Sequence, residues 1–155
     1  MPRISLIHQA GALRSYFPAS EIIRKGENEL IWIGELKPTP LSQTYTVKLH
    51  YKRNAFVKVF VIGQTLELAK GKTKLPHVYS TPLQQLCLYY PKNDEWHTGM
   101  FYVKSLLPWA SEWLYHYEFW VGTGVWHGGG IDHEEGAEEQ EAGTPTTGEN
   151  KTSIK

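Results

Sequence analysis

Residues 44–51 alternate without a break. Tyr45, Val47, Leu49 and Tyr51 fall on one face, and Thr44, Thr46, Lys48 and His50 on the other. A period of two with one apolar face is the signature of an antiparallel strand covered on a single side. The chain must therefore supply sheet partners and something to cover the apolar face. Residues 30–36, with Ile31, Trp32 and Ile33 in a short apolar run, are one partner, separated from the first strand by the Pro38-Thr39-Pro40 turn. Residues 56–62 are the other; they are apolar on nearly both faces and are expected to lie deeper. Three consecutive strands with short links predict an antiparallel meander.

Helices are predicted on both flanks. Leu6, Ala10, Leu13 and Phe17 recur at steps of four, three and four, giving a short helix that stops at Pro18. Glu21-Ile22-Ile23 adds a further short element before a turn over residues 25–28. Towards the other end, Ser105 is placed to cap a second helix, with Pro108 in its first turn and Glu112 near its positive end. Leu106, Ala110, Trp113, Leu114 and Tyr117 form its buried stripe, and Gly122 and Gly124 end it. The dense aromatic run through Trp109, Tyr115, Phe119, Trp120 and Trp126 is read as core and anchors rather than as a partner surface. The fold class is α+β, with helix, antiparallel meander, irregular segment and helix in that order.

A length of 155 residues fits one domain. The zero formal net charge hides a division. Residues 131–155 carry seven acids against Lys151 and Lys155, a balance of −5, which leaves +5 on residues 1–130. The acidic stretch has almost no apolar residues to offset the entropy of ordering, and is expected to be a disordered tail behind a folded domain at 1–130. The basic excess of the body is weak and scattered, which argues against nucleic acid as partner. No apolar run approaches the roughly 20 residues needed to cross a bilayer, and Met1-Pro2-Arg3 does not begin a signal peptide. A cytoplasmic protein that does not span a membrane is expected. A single cysteine, Cys87, forms no internal disulfide and makes no Cys-rich zinc module. His127, Asp132 and His133 lie close together, but on a glycine-rich stretch without a rigid scaffold, so they read as solvated linker; no metal or cofactor is expected.

On residues alone, Cys87 among Leu86, Leu88 and Tyr89 fits inert packing, the commoner fate of a free cysteine. It also lies on a long irregular stretch of the kind that carries catalytic groups. His77 and His97 stand ten residues away on either side. A Cys–His hydrolase would need a base and a residue orienting that base, and no local signature for either is present.

The order from His77 to Trp120 resembles the core of ubiquitin-conjugating (E2) enzymes. That family has a His ten residues before its nucleophile, the nucleophile in an Ile-Cys-Leu setting, then a Trp and a helix. Here His77, Leu86-Cys87-Leu88, Trp96 and the helix from Ser105 fall in those places. The strings LCLYYPKNDEW and LPWASEWLYHYEFWVGTGVWHGGG are more specifically similar to bacterial E2-like proteins of antiphage operons, either type II short CBASS or related ubiquitin-like systems. The resemblance implies a UBC-like (E2) fold and a catalytic domain at 1–130. It implies Cys87 as nucleophile, with His77 or His97 assisting the amine step. It implies as partner the C-terminus of a cGAS-like nucleotidyltransferase or of a ubiquitin-like protein, loaded by an E1-like activating enzyme. The sequence departs from the family at the His-Pro-Asn motif: Pro76 precedes His77, and Tyr79 stands where the Asn would be. That leaves His97, Asn93 or backbone N–H groups near Cys87 to stabilise an oxyanion. It also opens the alternative of a catalytically silent E2-fold scaffold.

Overall fold

The alternating strand forms where its pattern predicts and becomes the centre of the sheet. The computed structural model describes residues 2–129; the acidic stretch and the group around Asp132 and His133 lie outside the described residues. Helix α1 spans Leu6–Tyr16. Six strands follow: β1 Glu21–Lys25, β2 Glu29–Leu36, β3 Tyr45–Lys52, β4 Lys58–Ile62, β5 Val78–Ser80 and β6 Gln85–Leu86. They make one antiparallel sheet in the order β1-β2-β3-β4-β6-β5. Helix α2, Leu106–Thr123, closes the domain. The architecture is α+β, as expected, and is consistent with an E2-like fold.

Register explains why one face is covered. Leu30 pairs with Tyr51, Trp32 with Leu49, Val47 with Val61 and Leu49 with Val59, so each strand contributes its buried side to one stripe. Leu6, Ala10 and Leu13 of α1, and Leu106, Ala110, Trp113, Leu114 and Tyr117 of α2, join that stripe in a single apolar cluster. Phe17, just past α1, is half-buried and meets the Trp32 ring edge-on at 5.2 Å. Trp32 in turn lies over Gly34, leaving no room there for a side chain.

Three expectations are corrected. The meander has four strands, because Glu21-Ile22-Ile23 belongs to a full hairpin strand pairing with β2. The strand expected over 56–62 begins at Lys58 and buries only Val59 and Val61; Phe56 is 46% exposed, since helices cover just one face of the sheet. Ser105 stands at the N-cap of α2 without capping it. Its hydroxyl instead donates to the Phe101 carbonyl at 2.7 Å and accepts from Trp96 Nε1 at 3.0 Å. At the other end Gly124, at φ 78°, terminates α2, which runs through Gly122.

The approach to α2 is fixed from below. Gln9, buried in α1, donates to the Met100 carbonyl at 3.0 Å and accepts from the Tyr102 N–H at 3.0 Å. A buried amide thus satisfies two backbone groups that would otherwise be costly to desolvate.

Candidate active site around Cys87

Cys87 directly follows β6, at the end of a short hairpin held by unusual backbone. Gln84, just before β6, adopts φ 53°, and His77, just before β5, adopts φ 50°. Left-handed non-glycine residues are uncommon and persist where surroundings over-determine them. At Gln84 those surroundings are explicit. Its buried side chain accepts from the Leu66 N–H at 2.7 Å and donates to the Val61 and Gln64 carbonyls, each at 2.9 Å. At His77 the backbone carbonyl accepts the Cys87 N–H at 3.1 Å and the Trp113 indole N–H at 3.0 Å. One carbonyl therefore ties the cysteine backbone to α2.

The cysteine is half-buried rather than sealed in packing. Its Sγ lies 3.6 Å from the Tyr89 carbonyl. Cys87 lines an open cleft of 460 Å³, which His77 also lines. One wall is a face of α2, where Trp109, Glu112, Trp113 and His116 recur at helical spacing. The loop after the cysteine supplies Tyr90, Asn93 and Glu95, with Glu95 accepting from the Tyr90 N–H at 3.0 Å. Trp126, Gly128 and Gly129 also line it. The Trp126 ring lies 5.1 Å from His77, 5.7 Å from Trp113 and 5.6 Å from His116. Burial pushes the Tyr89 phenol up to about 12, with the neighbouring Cys87 adding to the effect, so the phenol is protonated at neutral pH.

The cleft gathers some of the predicted residues and leaves others outside. Cys87, His77 and Asn93 line it; His97 and Tyr79 do not. His97 is exposed and uses Nδ1 to accept the Gly99 N–H at 3.1 Å. Tyr79 points its hydroxyl at the Tyr89 carbonyl, 3.4 Å away. Trp96 is an anchor, 5.9 Å from the Tyr89 ring and 6.1 Å from that of Tyr102. Sequence reasoning missed Glu112 and His116. Their signal was the i, i+4 spacing on the flank of the α2 stripe, which carries two polar groups to the same side as Trp109 and Trp113.

No helix among the described residues is long and apolar enough to cross a membrane. No curated protein matches the sequence. A family model described as Type II CBASS E2 protein matches residues 9–134, which take in the whole sheet, the cysteine cleft and α2. Of the two operon types that the sequence resembles, this match selects CBASS. The chain belongs to the type II CBASS E2 family, whose role is E2-like and lies in antiphage defence.

Proposed function

We propose that the chain is an E2-like acyl carrier whose Cys87 takes an activated protein C-terminus as a thioester and passes it to an amine. The donor is the C-terminus of a cGAS-like nucleotidyltransferase, or of a ubiquitin-like protein, presented by an E1-like activating enzyme. The observation that carries the reading is the placement of the chain's single thiol: half-exposed on an open cleft, at the end of a strand pinned to α2. In loading, Sγ attacks the donor thioester carbonyl, the donor's thiol leaves, and the Cys87 proton ends on that leaving sulfur. No strong base is needed, because the incoming acyl group is already a thioester and an ordinary thiol attacks it adequately. His77 acts in this scheme as a positioning residue, through its carbonyl. Asn93 is the side-chain amide that lines the cleft, and it takes the oxyanion role together with backbone N–H groups. Residues 1–130 form the catalytic unit, and removal of 132–155 leaves thioester formation intact.

A silent scaffold is the second reading, favoured by one observation: Tyr79, at the place of the family Asn, lies outside the cleft. Co-expression with the neighbouring operon genes separates the two. The carrier forms an adduct that a thiol reductant removes; Cys87→Ser gives a reductant-resistant oxyester, and Cys87→Ala gives none. Unchanged adducts and unchanged phage protection in Cys87→Ala would refute the carrier.

A further inference from the structure

We propose that the α2 wall of the cleft is an acceptor-amine site, in which Glu112 draws in a primary ammonium and His116 takes its proton. The inference rests on the carrier reading above and assigns residues to its second half. Both side chains line the cleft that holds Cys87, one helical turn apart. Glu112 is exposed, and none of the described ion pairs uses it. A carboxylate at the mouth of a partly apolar cleft favours a cation over a neutral molecule.

His116 offers the sharper observation. Its Nδ1 is buried and, among the described residues, has no hydrogen-bond partner. A ring protonated on Nε2 leaves a lone pair at Nδ1 without a donor; a ring protonated on Nδ1 leaves an N–H without an acceptor. Neither tautomer is satisfied by the described residues, and such orphans are rare because they are costly. An entering amine satisfies the first tautomer. The ring is otherwise held by aromatic packing, 5.3 Å from Tyr115 and 5.6 Å from Trp126. Gly128 lies so close that a Cβ there would sit 2.8 Å from His116 Cδ2. Because Nδ1 is buried, the proposed step requires the ring or its neighbours Trp126 and Gly128 to move.

The chemistry balances. One ammonium proton passes to His116 Nδ1 and on to solvent, freeing the nitrogen lone pair. That nitrogen bonds to the thioester carbonyl carbon, the C–S bond breaks with its electron pair on Sγ, and the second amine proton ends on that sulfur. The products are an amide and the Cys87 thiol.

The test uses the full chain and defined probes. An N-acetylated peptide ending in glycine, as its mercaptoethanesulfonate thioester, loads Cys87 by exchange. Nα-acetyllysine or hydroxylamine then discharges it, and intact mass spectrometry follows loaded and free protein. His116→Phe keeps the aromatic packing and removes both nitrogens. It lowers the limiting rate of discharge to acetyllysine by about 10²-fold, the lower end for general-base catalysis. Discharge to hydroxylamine, uncharged at neutral pH, is spared. Glu112→Gln raises the half-saturating acetyllysine concentration more than it lowers the limiting rate. In His116→Ala, free imidazole restores amide formation. Wild-type discharge to acetyllysine in both His116 variants overturns the site. So does an equal loss with hydroxylamine, which would mark a structural role. A wild-type chain that never takes up the thioester would refute the carrier reading itself.

Discussion

Gln84→Met is nearly isosteric and removes every polar atom from a side chain that is only 8% exposed. Three backbone groups lose their partners: the Leu66 N–H and the Val61 and Gln64 carbonyls, which had bonds of 2.7, 2.9 and 2.9 Å. At about 1 kcal/mol net for each hydrogen bond, the loss is about 3 kcal/mol. The Leu66 and Val61 bonds are both buried, so stranding those groups pushes the loss up rather than down. For a chain of 155 residues, that corresponds to a fall in Tm of roughly 6–12 °C. Urea unfolding should show a lower midpoint with an unchanged slope, since the surface exposed on unfolding is the same. The backbone supplies an internal control. With φ at 53°, Gln84→Gly should be more stable than Gln84→Ala by about 1 kcal/mol, although both lack the amide. If Gln84→Met stays within 1 kcal/mol of wild type (an uncertainty of the order of one net hydrogen bond), or if Ala equals Gly, the reasoning about this pin is wrong.

Two further effects concern the sheet. Gly34→Ala places a methyl group into the Trp32 indole and should cost about 1–3 kcal/mol of stability, read by denaturant melts, with Trp32→Phe in the same chain restoring part of it. Glu29 accepts a hydrogen bond from His50 Nε2 at 2.6 Å; this bond, with the nearby Lys25 and Lys52, holds its carboxyl below the ordinary 4.5. Its contribution to stability is therefore present above pH 4.5 and is lost as pH falls through the lowered folded value. Carbon-detected NMR titration of the Glu29 carboxyl should show that depression in wild type and a value closer to 4.5 in His50→Phe.

The parts legible in the sequence were those whose burial is periodic. β3 could be read because Tyr45, Val47, Leu49 and Tyr51 all face one core, and α2 because its stripe is regular over three turns. β1 was only half visible: as an edge strand it is mostly exposed, and its sequence carries little burial signal. β5 and β6 are three and two residues long, with a register shift between Val78 and Ser80, so tertiary contacts define them. The same holds at the site. Cys87 stood out as the lone cysteine, and His77 through its spacing. What His77 does locally, through its carbonyl, belongs to the backbone and leaves no mark in a side-chain pattern. His116 was hidden because a helix packed with aromatics reads as core all the way round.

The shared carbonyl of His77 gives the cleft one fixed jaw and one yielding jaw. Its two bonds, to Cys87 and Trp113, tie the backbone of Cys87 to α2. The other jaw, the loop that carries Asn93 and Glu95, lacks that tie, whereas Trp126 packs on the fixed one, against His77, Trp113 and His116. On the proposed carrier reading, bulk in an arriving chain is met by the loop that carries Asn93 and Glu95, while the tie through His77 holds Cys87 against α2.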